Sequence, residues 1–350
     1  MTSTRPVHPD AFLITFLIRE APPVKFKATL LSTGAVFAAL SLAACSSSTG
    51  TTSGSGSDSD VNMTIVTGTK GSPFYEAMVC GAQAASEEDS VNLTVSAPDA
   101  WGAADMLPVL DSVAAQSPDA LLVVPTDVDA LTERLKSIAD TGAPIVELDQ
   151  KITDDTVSIS KIASDDSEGG TLAAQAMAEL IGGSGKVMAI SSPPGTDAQY
   201  VRVEAFEAEL KANYPDIEYL GAEYALNDVT AAAGFVTSRL ASDPDLAGIF
   251  VANDVNATGA VTGLEESGVV GDVKVVAYDA ADTEVDALKA GSVQALIAQD
   301  PYGEGYQGVK DALAAINGET VEPTTSIPLV TLTADDTDAL DEYLARNGTC

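Results

Sequence analysis

Histidine is nearly absent from these 350 residues, with one at His8 and none after it. His8 precedes an expected leader cut, so the processed chain would carry none. That argues against Ser-His-Asp and Cys-His nucleophiles, His-ligated zinc and most general-base chemistry near neutral pH. Basic residues are scarce as well. Lys and Arg number 17 against 52 Asp and Glu, a formal net charge of −35. No basic stripe is available to neutralise phosphates, so no nucleic-acid partner is expected. Cysteine is limited to Cys45, Cys80 and Cys350, and tryptophan to Trp101. No cofactor or metal is expected. What the chain does have is apolar content, 45% of residues. That excludes a chain disordered throughout, and the length allows two domains of about 100–200 residues each.

Lys25 and Lys27, an apolar run from Ala28 to Ala44, and then Cys45 follow the order of a secretory signal. Ser32, Thr33 and Gly34 interrupt the run, which is marginal for a membrane span. Leu42-Ala43-Ala44-Cys45 resembles the bacterial lipoprotein box, which implies lipidation of Cys45 and an anchor in the cell membrane. Residues 1–44 are therefore expected to be a leader. Val24 is the expected start, read from an alternative initiation codon. Residues 45–60 are almost wholly Ser, Thr, Gly and Asp, the composition of a flexible tether. Loss of the leader removes Arg5, Arg19, Lys25 and Lys27 against Asp10 and Glu20, taking the formal charge from −35 to −37. With Cys45 lipidated outside the cytoplasm, Cys80 and Cys350 can form a disulfide. Two unpaired thiols are the alternative.

From Val61 onward, short β-branched runs alternate with Ala-rich stretches. Strands are expected at 63–66, 92–96, 120–124, 144–148, 186–191, 217–224, 248–251, 273–278 and 293–298. Helical stretches lie between them, with one more at 335–345. This alternation predicts an α/β fold of two doubly wound parallel-sheet lobes, divided near Ile162-Ala163-Ser164-Asp165. In such sheets ligands bind beyond the carboxyl ends of the strands. Gly182-Gly183-Ser184-Gly185-Lys186 is no phosphate loop. Leu180 and Val187 stand where that motif needs Gly and Ser or Thr, and the segment precedes a strand.

The residues after the strands carry a consistent chemistry. Ser72-Pro73-Phe74-Tyr75 follows the first strand, and Trp101 lies after the second. Pro125-Thr126-Asp127 follows the third, and Asp149-Gln150 the fourth. In the second half come Pro193-Pro194-Gly195-Thr196 with Arg202 downstream, then Asn227, Asn253-Asp254, Asp279 and Gln299. Flat rings cover C–H faces while carboxylates and amides hold hydroxyls, which suits a polyol. Single Asp or Asn residues after strands also serve as helix caps, and Asp127 has that look.

Ser72-Pro73-Phe74-Tyr75, Pro125-Thr126-Asp127, Ile162-Ala163-Ser164-Asp165, Pro194-Gly195-Thr196, Asn253-Asp254 and Ala298-Gln299 occur in this order. Over about 61–332 the chain resembles the type I periplasmic sugar-binding proteins of ABC importers, the ribose-binding-protein-like group. The resemblance implies a three-stranded hinge and a monomer that closes on one small ligand. It implies a first lobe of 61–163 plus 300–326 and a second of 164–299 plus 327–350, the tail returning to the first lobe. Phe74 and Tyr75 would stack on the ligand. Asp149, Arg202, Asn253, Asp279 and Gln299 would hold hydroxyls. Ser72, Val124, Gln150 and Asn227 depart from the ribose pattern, so a related sugar or sugar alcohol is expected, with Trp101 as a second stacking face. The partners implied are a sugar or polyol, permease subunits of an ABC transporter, and the membrane through the lipid. A module presenting its ligand to a chemoreceptor or sensor kinase is an alternative. A glycoside hydrolase using Asp149 and Asp279 is a weaker one, since nothing in the sequence raises the pKa of either. The chain is expected not to be an enzyme.

Overall fold

Runs of aliphatic and β-branched residues become the central strands of two sheets, covered on both faces. The computed structural model describes residues 61–191, 198–348 and 350. The expected leader, Cys45, the tether and the Pro193-Pro194-Gly195-Thr196 turn lie outside the described residues. In chain order the first half holds β1 (Asn62–Val66), α1 (Pro73–Asp89), β2 (Asn92–Ser96), α2 (Ala103–Gln116), β3 (Ala120–Val123), α3 (Thr132–Ala139), β4 (Ile145–Leu148) and β5 (Ser160–Ser164). The second half runs α4 (Asp166–Leu180), β6 (Gly185–Ser191), α5 (Ala198–Asn213), β7 (Ile217–Tyr224), α6 (Val229–Ser242), β8 (Leu246–Val251), α7 (Asp254–Ser267), β9 (Lys274–Tyr278), α8 (Asp282–Ala290) and β10 (Ala295–Ala298). The chain ends with α9 (Pro301–Ile316), β11 (Thr324–Ile327), β12 (Val330–Thr333) and α10 (Thr337–Asn347).

These strands form two six-stranded sheets, ordered β11-β5-β4-β3-β1-β2 and β12-β10-β9-β8-β6-β7. The first is parallel throughout. The second is parallel except that β12 runs antiparallel to β10. The two expected doubly wound lobes are thus present, and β12 is antiparallel because the chain turns directly from β11 in one sheet to β12 in the other, with no helix to reverse it. The chain passes between the sheets three times, at β5 to α4, β10 to α9 and β11 to β12. Strands β5, β11 and β12 were not expected. They are short and rich in Ser and Thr, and Lys161 interrupts β5, so no continuous apolar run marks them.

Alternation along each strand divides the core. In the first sheet Met63, Ile65, Leu122 and Leu148 face α1 and α9. Their neighbours Val66, Leu121, Val123 and Ile145 face α2 and α3. In the second sheet Ile190, Ile249 and Val275 lie with α6, α7 and α8, while Phe250, Val276 and Ile297 lie with α4 and α5. Each such side chain contributes about 1.5–3 kcal/mol on full burial. Helices α1 and α9 cross closely. A Cβ on Gly81 would stand 1.9 Å from the Tyr302 carbonyl oxygen, and one on Gly305 1.9 Å from that of Met78. Only glycine allows that approach.

Helix α10 packs on the second-lobe core through Leu340, Tyr343 and Leu344. Beyond it the chain returns to α1, where Cys350 is joined to Cys80 with Cα atoms 5.7 Å apart. The disulfide therefore links the end of a second-lobe helix to a first-lobe helix. Beside it, Arg346 pairs with Asp300 at 2.8 Å, and the Tyr302 amide donates to Asn347 Oδ1 at 3.1 Å.

Candidate functional site

The carboxyl ends of both sheets face one cavity of about 510 Å³. Its walls include every expected ligand residue: Ser72, Phe74, Tyr75, Trp101, Asp149 and Gln150 from the first lobe, and Arg202, Asn227, Asn253, Asp279 and Gln299 from the second. Asp127 is not among them. Its Oδ1 accepts from the amides of Asp129 and Ala130, as a cap does.

Local chain geometry aims these groups. Pro73 opens α1 with its fixed φ, and the Ser72 side chain makes no capping bond, which leaves its hydroxyl for the cavity. Among the described residues six non-glycines have positive φ, and three of them are Asp149, Asn227 and Asp279. Asp149 (φ 60°) directly follows β4 and Asp279 (φ 80°) directly follows β9. Asp and Asn tolerate this left-handed conformation better than most residues, at a cost of about 1 kcal/mol or more. Here it turns each side chain off the strand end into the cleft.

The aromatic wall is ordered by its own contacts. Phe74 and Tyr75 meet edge to face with centroids 5.3 Å apart. Tyr75 and Trp101 lie nearly parallel, 13° apart, with centroids at 6.5 Å. Trp101 is 50% exposed, so the indole edges the cavity rather than filling a core. A Cβ on Gly68 would lie 2.5 Å from the Trp101 ring and 2.7 Å from that of Tyr75. The Tyr75 hydroxyl donates to Asp149 Oδ2 at 3.0 Å. Burial, then the Asp149 charge, pushes the Tyr75 phenol well above its ordinary range.

Arg202 is fixed from three sides. Its Nε donates to Asp166 at 2.8 Å, its Nη1 donates to the Ala252 carbonyl at 3.0 Å, and its guanidinium carbon lies 3.6 Å from the centre of the Tyr278 ring. Burial alone would lower its pKa, but Asp166, Tyr278 and Asp279 outweigh that and hold it charged. Gln299 Nε2 donates to Asp279 Oδ1 at 2.6 Å. Asn253 has two structural duties: its Oδ1 accepts the Asn256 amide at the start of α7, and its Nδ2 donates to Asn227 Oδ1 at 2.8 Å. Gln199 also donates to Asn227 Oδ1, at 3.1 Å, and Asn256 donates to Gln199 at 3.4 Å. Asn227 itself is exposed, at the rim. The cap and binding readings of Asn253 are thus compatible, with the remaining amide hydrogen available to a ligand.

Nothing in the sequence marks a raised pKa on either cleft aspartate, yet in the fold burial pushes both upward. Burial raises Asp149 to about 7 despite the nearby Arg202 charge and the Tyr75 bond. Burial raises Asp279 to about 6 against the pull of Arg202. No apolar pattern in the sequence marks this, because the burial comes from lobe packing. Gln199, Asn256, Asp166 and Tyr278 were also missed, as were Tyr343, Leu344 and Asn347 of α10, which complete the wall. Gln199 could have been found from its place one helical turn before Arg202.

A periplasmic binding protein domain matches residues 63–320. The chain belongs to the type I periplasmic sugar-binding proteins. It is 31% identical over 260 residues to the ribose import binding protein RbsB of Salmonella typhimurium (strain LT2), covering 74% of this chain and 86% of that protein. It is 27% identical over 236 residues to the xylitol-binding protein of Mycolicibacterium smegmatis, 67% of each chain. A solved ABC transporter solute-binding protein from Agrobacterium vitis, bound with α-D-tagatopyranose, aligns with a TM-score of 0.76 and 32% identity over 83% of this chain and 100% of that one. Members of this family bind solutes outside the cytoplasm and are not enzymes. Membership therefore decides against the glycoside hydrolase, which the raised pKa values alone would not. Among the described residues no helix is long and apolar enough to cross a membrane.

Proposed function

We propose that this protein captures one sugar or polyol between its lobes and delivers it to an ABC importer, held at the outer face of the membrane by lipid on Cys45. One observation carries the reading of the site: ring faces, carboxylates, amides and a fixed guanidinium from both lobes line a single cavity of about 510 Å³. The ligands of relatives, namely ribose, xylitol and tagatopyranose, belong to the same chemical class. In the mechanism, Phe74, Tyr75 and Trp101 cover the C–H face of the ligand, while Asp149 accepts hydroxyls from the first lobe. Arg202, Asn253, Asp279 and Gln299 complete the bonds only when the second lobe closes. Closure is driven by the ligand's greater affinity for the closed form, and the three crossings between the sheets are the hinge. The first lobe is read as 61–163 plus 300–326 and the second as 164–299 plus 327–350.

A thermal-shift screen of pentoses, hexoses and sugar alcohols tests the binding, because a ligand of the folded form must raise apparent stability. At least one should raise it, and no response across the screen would overturn the reading. For the anchor, Cys45→Ala in a host that processes lipoproteins should release the protein from the membrane fraction. Retention there would overturn lipidation.

A further inference from the structure

The charges in the cleft do not balance. Among the described lining residues the cations are Lys70 and Arg202. Lys70 sits at the rim, its side chain 62% exposed, and pairs with Asp99 at 2.6 Å. Arg202 is already matched by Asp166. Facing them inside are Asp149, Asp254 and Asp279, none of which lies within ion-pair distance of a cation among the described residues. Behind them stands Glu304, fully buried, with neither carboxyl oxygen bonded. On the second-lobe side Glu284 is also buried, with only Oε2 engaged, by the Ala281 amide.

Buried carboxylates are stable when paired with a cation, and otherwise take up protons. A hydroxyl can donate one hydrogen bond to such a group but leaves its charge uncancelled. An ammonium donates up to three bonds and cancels a charge. The parallel Tyr75 and Trp101 rings on the same wall add faces that favour a cation. An anionic ligand would meet the opposite: uncompensated carboxylates and one guanidinium already engaged.

We propose that the cleft selects polyols in which one hydroxyl is replaced by an amine, prefers them to the neutral parents, and rejects sugar acids and sugar phosphates. This rests on reading the cleft as a polyol site. The amine is held between Asp149 and Asp279, so that each lobe supplies one carboxylate and closing the lobes brings both to one charge. Burial of Asp149, Asp254 and Asp279 raises each carboxyl in the absence of a ligand, so protons stand in for the missing cation.

The test is titration calorimetry at about pH 7, where such amines are largely charged. The probes are matched sets: D-glucose, 2-amino-2-deoxy-D-glucose, 6-amino-6-deoxy-D-glucose and D-glucuronate, with the corresponding galactose set and an inositol with its monoamino derivative. In at least one set the amine should bind at least tenfold more tightly than its parent, with no binding of the acid. Asp279→Asn should reduce that amine-to-parent ratio about tenfold. Parents that bind as well as their amines in every set would overturn this proposal and leave the polyol reading intact. A ratio unchanged in Asp279→Asn would overturn the placement between the two aspartates. Absence of binding by every probe, together with a silent thermal-shift screen, would overturn both.

Discussion

Replacing Asp149 by asparagine should stabilise the ligand-free protein at about pH 8 far more than at about pH 4. Burial at the end of β4 raises this carboxyl to about 7, whereas in the unfolded chain it titrates near 3.9. Between those values the unfolded state gives up the proton while the folded state keeps it. The folded state then binds more protons, so stability falls as pH rises through this window, and the loss is complete above it. A gap of about three pKa units corresponds to about 4 kcal/mol. The carboxyl is only partly buried and edges an open cleft, so screening reduces this to about 2 kcal/mol. For a folded part of this length, with about 2.1 cal/mol/K of unfolding entropy per residue, that is a rise of roughly 3 °C in Tm. Asparagine keeps an acceptor for the Tyr75 hydroxyl, now 3.0 Å from Oδ2. It also tolerates the positive φ of this position, at either pH. The readout is therefore the difference between the two gains, measured by thermal unfolding of wild type and variant at each pH. Equal gains at both pH values, or no gain at pH 8, would refute the reasoning. The same variant should lose ligand affinity, the usual conflict between stability and function at a binding site.

Cys80→Ser, or reduction of the wild type, should lower stability, because the bond closes a loop with a sequence separation of 270. The chain-entropy model gives about 5.6 kcal/mol as an upper value, and unchanged denaturant midpoints with and without reductant would count against it. Gly68→Ala should leave the fold intact by circular dichroism but push Trp101 and Tyr75 from their present positions and weaken binding about tenfold. Wild-type affinity would show that this aromatic wall does not touch the ligand.

Much of the architecture was legible because it is written in local chemistry. The run at 120–124 is continuously apolar and that at 273–278 is apolar apart from Lys274, and they become central strands with no exposed face. The residues after such strands sit at the carboxyl edge by topology alone, which is why Asp149, Asn253, Asp279 and Gln299 could be named in advance and now line one cavity. Strand β5 was hidden because Ser160, Lys161 and Ser164 mask its buried Ile162. Strand β12 was hidden because only Leu332 points into the core. The raised pKa of Asp149 and the Gln199–Asn227–Asn256 network depend on contacts between distant segments, which no spacing in the chain reveals. Helix α10 was expected, but its place on the cavity wall depends on how the tail returns between the lobes.

The central claim is that one ligand is held by both lobes at once. Titration calorimetry of Asp149→Ala and Asp279→Ala with a ligand found in the thermal-shift screen tests it most directly. The two residues end strands in different sheets, yet each variant should lose about 1.5–3 kcal/mol of binding, a tenfold to hundredfold loss in affinity. Wild-type affinity in either variant would contradict the account, because the ligand would then be held without that lobe's carboxylate.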